Sequence, residues 1–77
     1  MKIYCISDEI ETALGLKLSG VDASILKDKE KIENKIDEVL ENSEIGILVV
    51  TENIYKLCYE KLNHIKEFRR TPLIVKI

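Results

Sequence analysis

Residues 44–58 read EIGILVVTENIYKLC. From Ile45 to Val50 every residue is apolar or Gly, Thr51-Glu52-Asn53 follows, and from Ile54 onward the apolar residues recur three and four apart. An apolar run without polar alternation marks a strand covered on both faces, as the inner strands of a parallel sheet are. The spacing after it is that of an amphipathic helix. In an open α/β sheet, the joint between such a strand and its helix is where phosphates, nucleotides and catalytic carboxylates usually sit. The run therefore decides the fold, and the joint poses the question of function.

Thr51 suits the N-cap of the helix, with Glu52 at the positive end of the helix dipole and Ile54, Leu57, Cys58, Leu62 and Ile65 as the buried stripe. Phe68 continues that rhythm only approximately, and Arg69-Arg70 follow where cations favour a helix C-terminus. Upstream, KDKEKIENKIDEVLENS (27–43) sets Ile32, Ile36, Val39 and Leu40 on one stripe among charges, which predicts a second amphipathic helix. Its outer residues Glu30, Lys31, Glu33, Lys35, Asp37 and Glu38 mix both signs and read as a solvated face.

DASIL (22–26) is short and half polar, which suits an edge strand. KIYCI (2–6) is a strand, and Ser7-Asp8-Glu9 opens a first helix carrying Ile10, Ala13, Leu14, Leu18 and Val21 at helical spacing. Gly20 is expected to cap that helix at its C-terminus. Gly15, inside it, costs about 1 kcal/mol relative to Ala and is expected to permit close packing on the sheet. TPLIVKI (71–77) is a fourth strand entered through Pro72.

With 77 residues the chain is one domain, and such a domain hides only about 60% of the surface that its unfolded chain exposes. It is 45% hydrophobic and 34% charged with formal net charge −2, so it has neither the composition of a disordered chain nor the basic footprint of a nucleic-acid binder. No apolar run approaches the roughly 20 residues of a membrane span, and MKIYCISDE meets acidic residues too early for a secretory signal. A cytoplasmic protein without direct membrane insertion is the expectation. Cys5 and Cys58 lie far apart on apolar faces and read as buried thiols; with only His64 as a further soft ligand, no metal-binding spacing exists.

Strands alternating with helices require parallel neighbours and right-handed crossovers. The apolar strand 45–50 must be central and the polar strand at 22 an edge. The predicted fold is therefore α/β, a four-stranded parallel sheet in the order 2-1-3-4 with three helices, a flavodoxin-like or receiver-like half-Rossmann arrangement. Handedness puts the first helix on one face and the other two on the opposite face. The part of the first face over strands 3 and 4 then lacks cover, although Ile45, Ile47, Val49 or their alternates, with Leu73, Val75, Ile77 or Ile74, point into it. A C-terminal helix, a partner or a second copy of the chain is expected there.

The strand ends offer little chemistry. Asp8-Glu9 resembles the acidic pair of phospho-receiver domains, but Thr51 stands where the phosphate-accepting aspartate would be. A phosphocysteine enzyme would need a cysteine at the end of the first strand, cradled by Gly, Ser and Thr amides. Cys5 lies within the strand, and the loop after it is acidic. No Gly-x-Gly-x-x-Gly or Walker sequence occurs. Asp8, Glu9, Glu52 and His64 are too scattered to form an acid-base group, and His64 falls off the apolar stripe towards solvent. The residues read as a non-catalytic interaction domain without a cofactor.

SDEIETALGLKLSGVD (7–22), EIGILVVTENIYKLC (44–58) and TPLIVKI (71–77) together resemble, in order, segments of the F subunit of V-type and archaeal-type rotary ATPases. The resemblance implies a small cytoplasmic component of the central rotor, held on the coiled coil of the D subunit among the remaining ATPase subunits and hydrolysing nothing itself. On that reading Asp8, Glu9, Leu16, Phe68, Arg69, Arg70, Ile74 and Lys76 are the candidate partner-binding residues. The family usually continues into a Pro-containing linker and a helical tail, whereas this sequence ends at Ile77, so one domain over residues 1–77 without the tail is expected. A degenerate receiver-like signalling domain is the alternative.

Overall fold

A computed structural model describes residues 1–77. Its elements are β1 (Lys2–Ser7), α1 (Ile10–Leu18), β2 (Asp22–Ile25), α2 (Lys29–Glu41), β3 (Ile45–Val50), α3 (Glu52–Leu57), α4 (Tyr59–Phe68) and β4 (Leu73–Lys76). The strands form one parallel sheet in the order β2-β1-β3-β4. This is the predicted fold.

The larger core fills the side of the sheet under α2, α3 and α4. Ile6, Leu48, Val50 and Ile74 project from the strands and meet Ile32, Ile36, Val39, Ile54, Cys58, Leu62 and Ile65 from the helices. On α2, Asp28 caps the helix by accepting from the Lys31 amide at 3.1 Å, which satisfies one of the free first-turn donors. Lys61 of α4 pairs with Asp37 of α2 at 2.7 Å and ties the two helices together on the solvent side.

The third predicted helix is two helices. At Cys58 the backbone leaves helical geometry (φ −114°, ψ 35°) and α4 begins at Tyr59. The joint keeps Cys58 N–H on the Ile54 carbonyl and Leu62 N–H on the Cys58 carbonyl, both at 3.0 Å. The stripe 54, 58, 62, 65 therefore stays continuous and buried across the break. Leu57, placed on that stripe by the sequence, is 43% exposed and lies outside it.

The opposite side of the sheet carries α1 alone, and α1 lies against β1 and β2. Ala13 and Cys5 are fully buried between them. The other apolar residues of α1 do not follow the predicted stripe: Ile10, Leu14 and Leu18 are 65%, 53% and 82% exposed, and Leu16 is half-buried. Gly15 is also exposed, and a Cβ there would meet nothing within 4 Å. Its expected close packing on the sheet is therefore wrong, because Gly15 faces away from the strands while Ala13 makes the contact.

Gly20 does end α1 as predicted. With φ 90° it occupies the left-handed region, and the amides of Val21 and Gly20 return to the carbonyls of Leu16 at 2.9 Å and Lys17 at 3.0 Å. That pair of bonds is a Schellman cap, which needs a residue free of the Cβ penalty.

Candidate functional site

The strand order reverses between β1 and β3, and the ends of these strands flank the crevice where open α/β sheets bind ligands. Asp8, Glu9, Thr12, Thr51, Glu52, Asn53 and Ile77 line a cleft of about 350 Å³ there. Asp8 enters from the β1–α1 loop. Thr51 and Asn53 come from the joint after β3, the joint within EIGILVVTENIYKLC.

Asp8 spans the crevice. Its Oδ1 accepts from the Thr51 hydroxyl at 2.5 Å and its Oδ2 from the Asn53 amide at 2.9 Å. These bonds to Thr51, then Asn53, hold the Asp8 carboxyl below the usual carboxylate range. Both oxygens of the group best placed to meet a ligand are thus engaged by its own chain. The arrangement pins two loops together across the sheet.

Thr51 sits at the N-cap position of α3 with extended backbone but makes no side-chain cap bond. The expected capping role is corrected: the hydroxyl can serve the α3 amides or Asp8, and the charged acceptor takes it. The expected cap of α1 by Ser7 or Asp8 changes likewise. Glu9 occupies the cap position without a side-chain cap bond, and the Ser7 hydroxyl closes a local turn by bonding the Glu9 carbonyl and amide, each at 2.8 Å. Asn53 carries no distinguishing signal in its own stretch of sequence. The predicted adjacency of β1 and β3 is the one signal that could pair it with Asp8.

Cys5 and Cys58 are free and buried, and burial raises both thiols. No group of three His, Cys, Asp or Glu residues stands close enough to hold a metal ion. His64 faces solvent with its ring 4.7 Å from that of Phe68.

The candidate partner-binding residues are dispersed. Asp8 and Glu9 lie in the crevice and Leu16 is half-buried on α1. Phe68 is 71% exposed at the end of α4. Arg69 closes the α4–β4 turn, donating from Nε to the Thr71 carbonyl at 3.2 Å and from Nη2 to the Leu40 carbonyl at 3.5 Å, where it complements the last turn of α2. Arg70 is exposed, and Lys76 stands 5.6 Å from the centre of the Tyr55 ring, which Lys66 also approaches to 5.5 Å. Ile74 is corrected: at 8% exposure it belongs to the core, because its register partner Leu48 points to the side roofed by the helices.

Apolar strand residues also remain partly open on the α1 side of the sheet. By register, Ile3, Ile47 and Leu73 point to the α1 side of the sheet, as do Cys5, Val49 and Val75. Cys5 lies under α1, whereas Ile3 and Leu73 are 40% and 60% exposed and Ile47, Val49 and Val75 half-buried. This is the uncovered strip that crossover handedness predicts, except that Ile45, expected on it, is buried in the core beneath the helices, the register with β1 shifting between Lys2 and Ile3.

The fold and crevice define a small open α/β domain whose switch point is bridged by its own side chains. Residues 3–77 match the ATP synthase (F/14-kDa) subunit family, and the chain belongs to that family. It is 39% identical to the F subunit of the A-type ATP synthase of Thermococcus onnurineus over 68% of this chain and 55% of the relative. It is 32% identical to that of Methanocaldococcus jannaschii over 87% of this chain and 68% of the relative. The F subunit of the V-type ATP synthase of Archaeoglobus fulgidus has the same fold, with a TM-score of 0.75 at 15% identity over 99% of this chain and 95% of the other. The chain spans little more than half the length of the first of these relatives.

Proposed function

We propose that this chain acts as a non-catalytic component of the central stalk of an A-type or V-type rotary ATPase. It docks on the coiled-coil D subunit of the rotor in the cytoplasmic, membrane-peripheral sector and helps couple ATP turnover to ion transport. Family membership over residues 3–77 carries this reading. Two features of the molecule support it. The crevice where this architecture would hold a nucleotide is bridged by Asp8, Thr51 and Asn53, and an apolar strip of the sheet is open to a macromolecule. No helix is long and apolar enough to cross a membrane, in keeping with a peripheral position.

Co-expression with the D subunit of the same ATPase tests the proposal. The expected result is a stoichiometric complex that survives gel filtration, with no ATP hydrolysis by this chain alone. Failure to form the complex, or nucleotide turnover by the isolated chain that is lost in D8A, would contradict it.

A further inference from the structure

We propose that the outer edge of β2 and the adjoining flank of α1 pair with the same surface of a second copy of the chain, joining two sheets into one. This pairing goes beyond the docking function and stands without it. The Leu26 amide bonds the Ser7 carbonyl of β1 at 2.9 Å, and along a strand the backbone groups of successive residues turn to opposite sides. Those of Ala23 and Ile25 therefore turn outward. No strand lies beyond β2, and no loop backbone group bonds either residue. A two-fold axis at Ser24, perpendicular to the sheet, satisfies both: Ala23 faces Ile25 of the second copy and Ile25 its Ala23, each pair exchanging two bonds. Asp22 then falls opposite Leu26 of the second copy, one residue from its Lys27.

The helix fits the same axis. α1 lies against β1 and β2, so its axis stands about half a strand spacing inside β2. With paired strands about 4.8 Å apart, the two α1 axes come about 10 Å apart, within reach of the roughly 8–10 Å of packed helices. Thr12 lines the crevice with Thr51, so its flank looks towards β3. Ile10 lines a second cavity with Lys27, just past β2, so its flank looks to the open edge. Leu14 and Leu18 follow Ile10 at four-residue intervals on that flank. Ile25 lies on the same side of the sheet by its register with Ser7, two residues from Cys5. Ile10, Leu14, Leu18 and Ile25 are 65%, 53%, 82% and 41% exposed. The paired helices run antiparallel, so the first turn of each, with Glu11, meets the last turn of the other, with Lys17. Side-chain charges and helix dipoles both favour that arrangement.

A second copy is the occupant that answers every feature of this surface. A helix from another protein would cover the leucines but has its backbone groups bonded internally, leaving the β2 edge unpaired. Chain continuing past Ile77 would leave from beside β4, at the opposite edge of the sheet, three strand spacings or about 14 Å away. Two nine-residue helices and two four-residue strands form a contact below standard interface size, so the pairing is weak and depends on concentration.

Sedimentation equilibrium of the 77-residue chain at rising concentration, up to about 1 mM, tests the proposal with wild type, L14K, I25P and L73K. Leu14 is exposed, and proline at position 25 removes an outward amide without touching the bonds to β1; unfolding midpoints check that both variants fold. The expected result is a monomer–dimer equilibrium weakened about tenfold or more by L14K and by I25P and unchanged by L73K, on the far strip. Amide exchange at Ala23 and Ile25 should slow as the wild type dimerises. A wild type that stays monomeric, a dimer indifferent to L14K and I25P or dispersed by L73K, or a dimer without slowed exchange at both amides would overturn the proposal.

Discussion

The two sides of this sheet use the same kinds of residue for different ends. On one side Ile6, Leu48, Val50 and Ile74 disappear beneath three helices. On the other, Ile3, Ile47, Val49, Leu73 and Val75 stand beside one short helix whose own Ile10, Leu14 and Leu18 face water. Leu48 and Leu73 illustrate the contrast: both are strand leucines, 0% and 60% exposed. Hydrophobic residues in a sheet thus do not by themselves report stability. What covers them decides whether their free energy is realised in folding or is left for association.

The sharpest way to break that contrast is L48A. Deleting a fully buried leucine should lower stability by about 2–5 kcal/mol, read as a shift in the urea midpoint. A loss below about 1 kcal/mol would mean that the roofed side is loosely packed. T51A comes next. It removes a charge-assisted bond to Asp8 and should cost about 1 kcal/mol at neutral pH, with the accessibility of Asp8 limiting the effect. Because the bond depresses the Asp8 pKa in the folded state, its contribution is complete above the unfolded carboxylate value of about 3.9 and fades as pH falls through the lower folded value. The T51A penalty should therefore shrink in acid, and a pH-independent penalty would reassign Thr51 to helix capping.

G15A should stabilise the chain by about 0.4–1 kcal/mol, since the added methyl meets open space and the unfolded chain loses freedom. A destabilised G15A would show Gly15 packed against its own chain after all. L73A should be nearly silent, within about 0.5 kcal/mol. If thermal melts show L73A to be as damaging as L48A, the two sides do not differ.

Much of this organisation is legible in the chain. The unbroken apolar run Ile45–Val50 places a central strand, the half-polar Asp22–Ile25 an edge, and handed crossovers then distribute the helices and leave the strip bare. Those inferences depend on patterns that burial imposes over many residues. The breaks in legibility are local. Neither Gly nor Pro marks Cys58, so the local sequence gives no sign of the helix joint there. The spacing of Ile10, Leu14 and Leu18 is that of a buried stripe, but periodicity cannot say which neighbour covers it, and here the sheet takes Ala13 instead. Asp8, Thr51 and Asn53 each look like local capping residues. Only the adjacency of β1 and β3 turns them into a bridge 43 and 45 residues long in sequence.

Methyl resonances provide the most direct test of the division between the two sides. With Ile, Leu and Val methyls labelled, the chain is titrated with the D subunit and followed by two-dimensional NMR. The methyls of Ile3, Ile47, Val49, Leu73 and Val75 should shift, while those of Ile32, Ile36 and Leu62 stay in place. Shifts confined to the helix-covered side, with the strip methyls unmoved, would contradict the account.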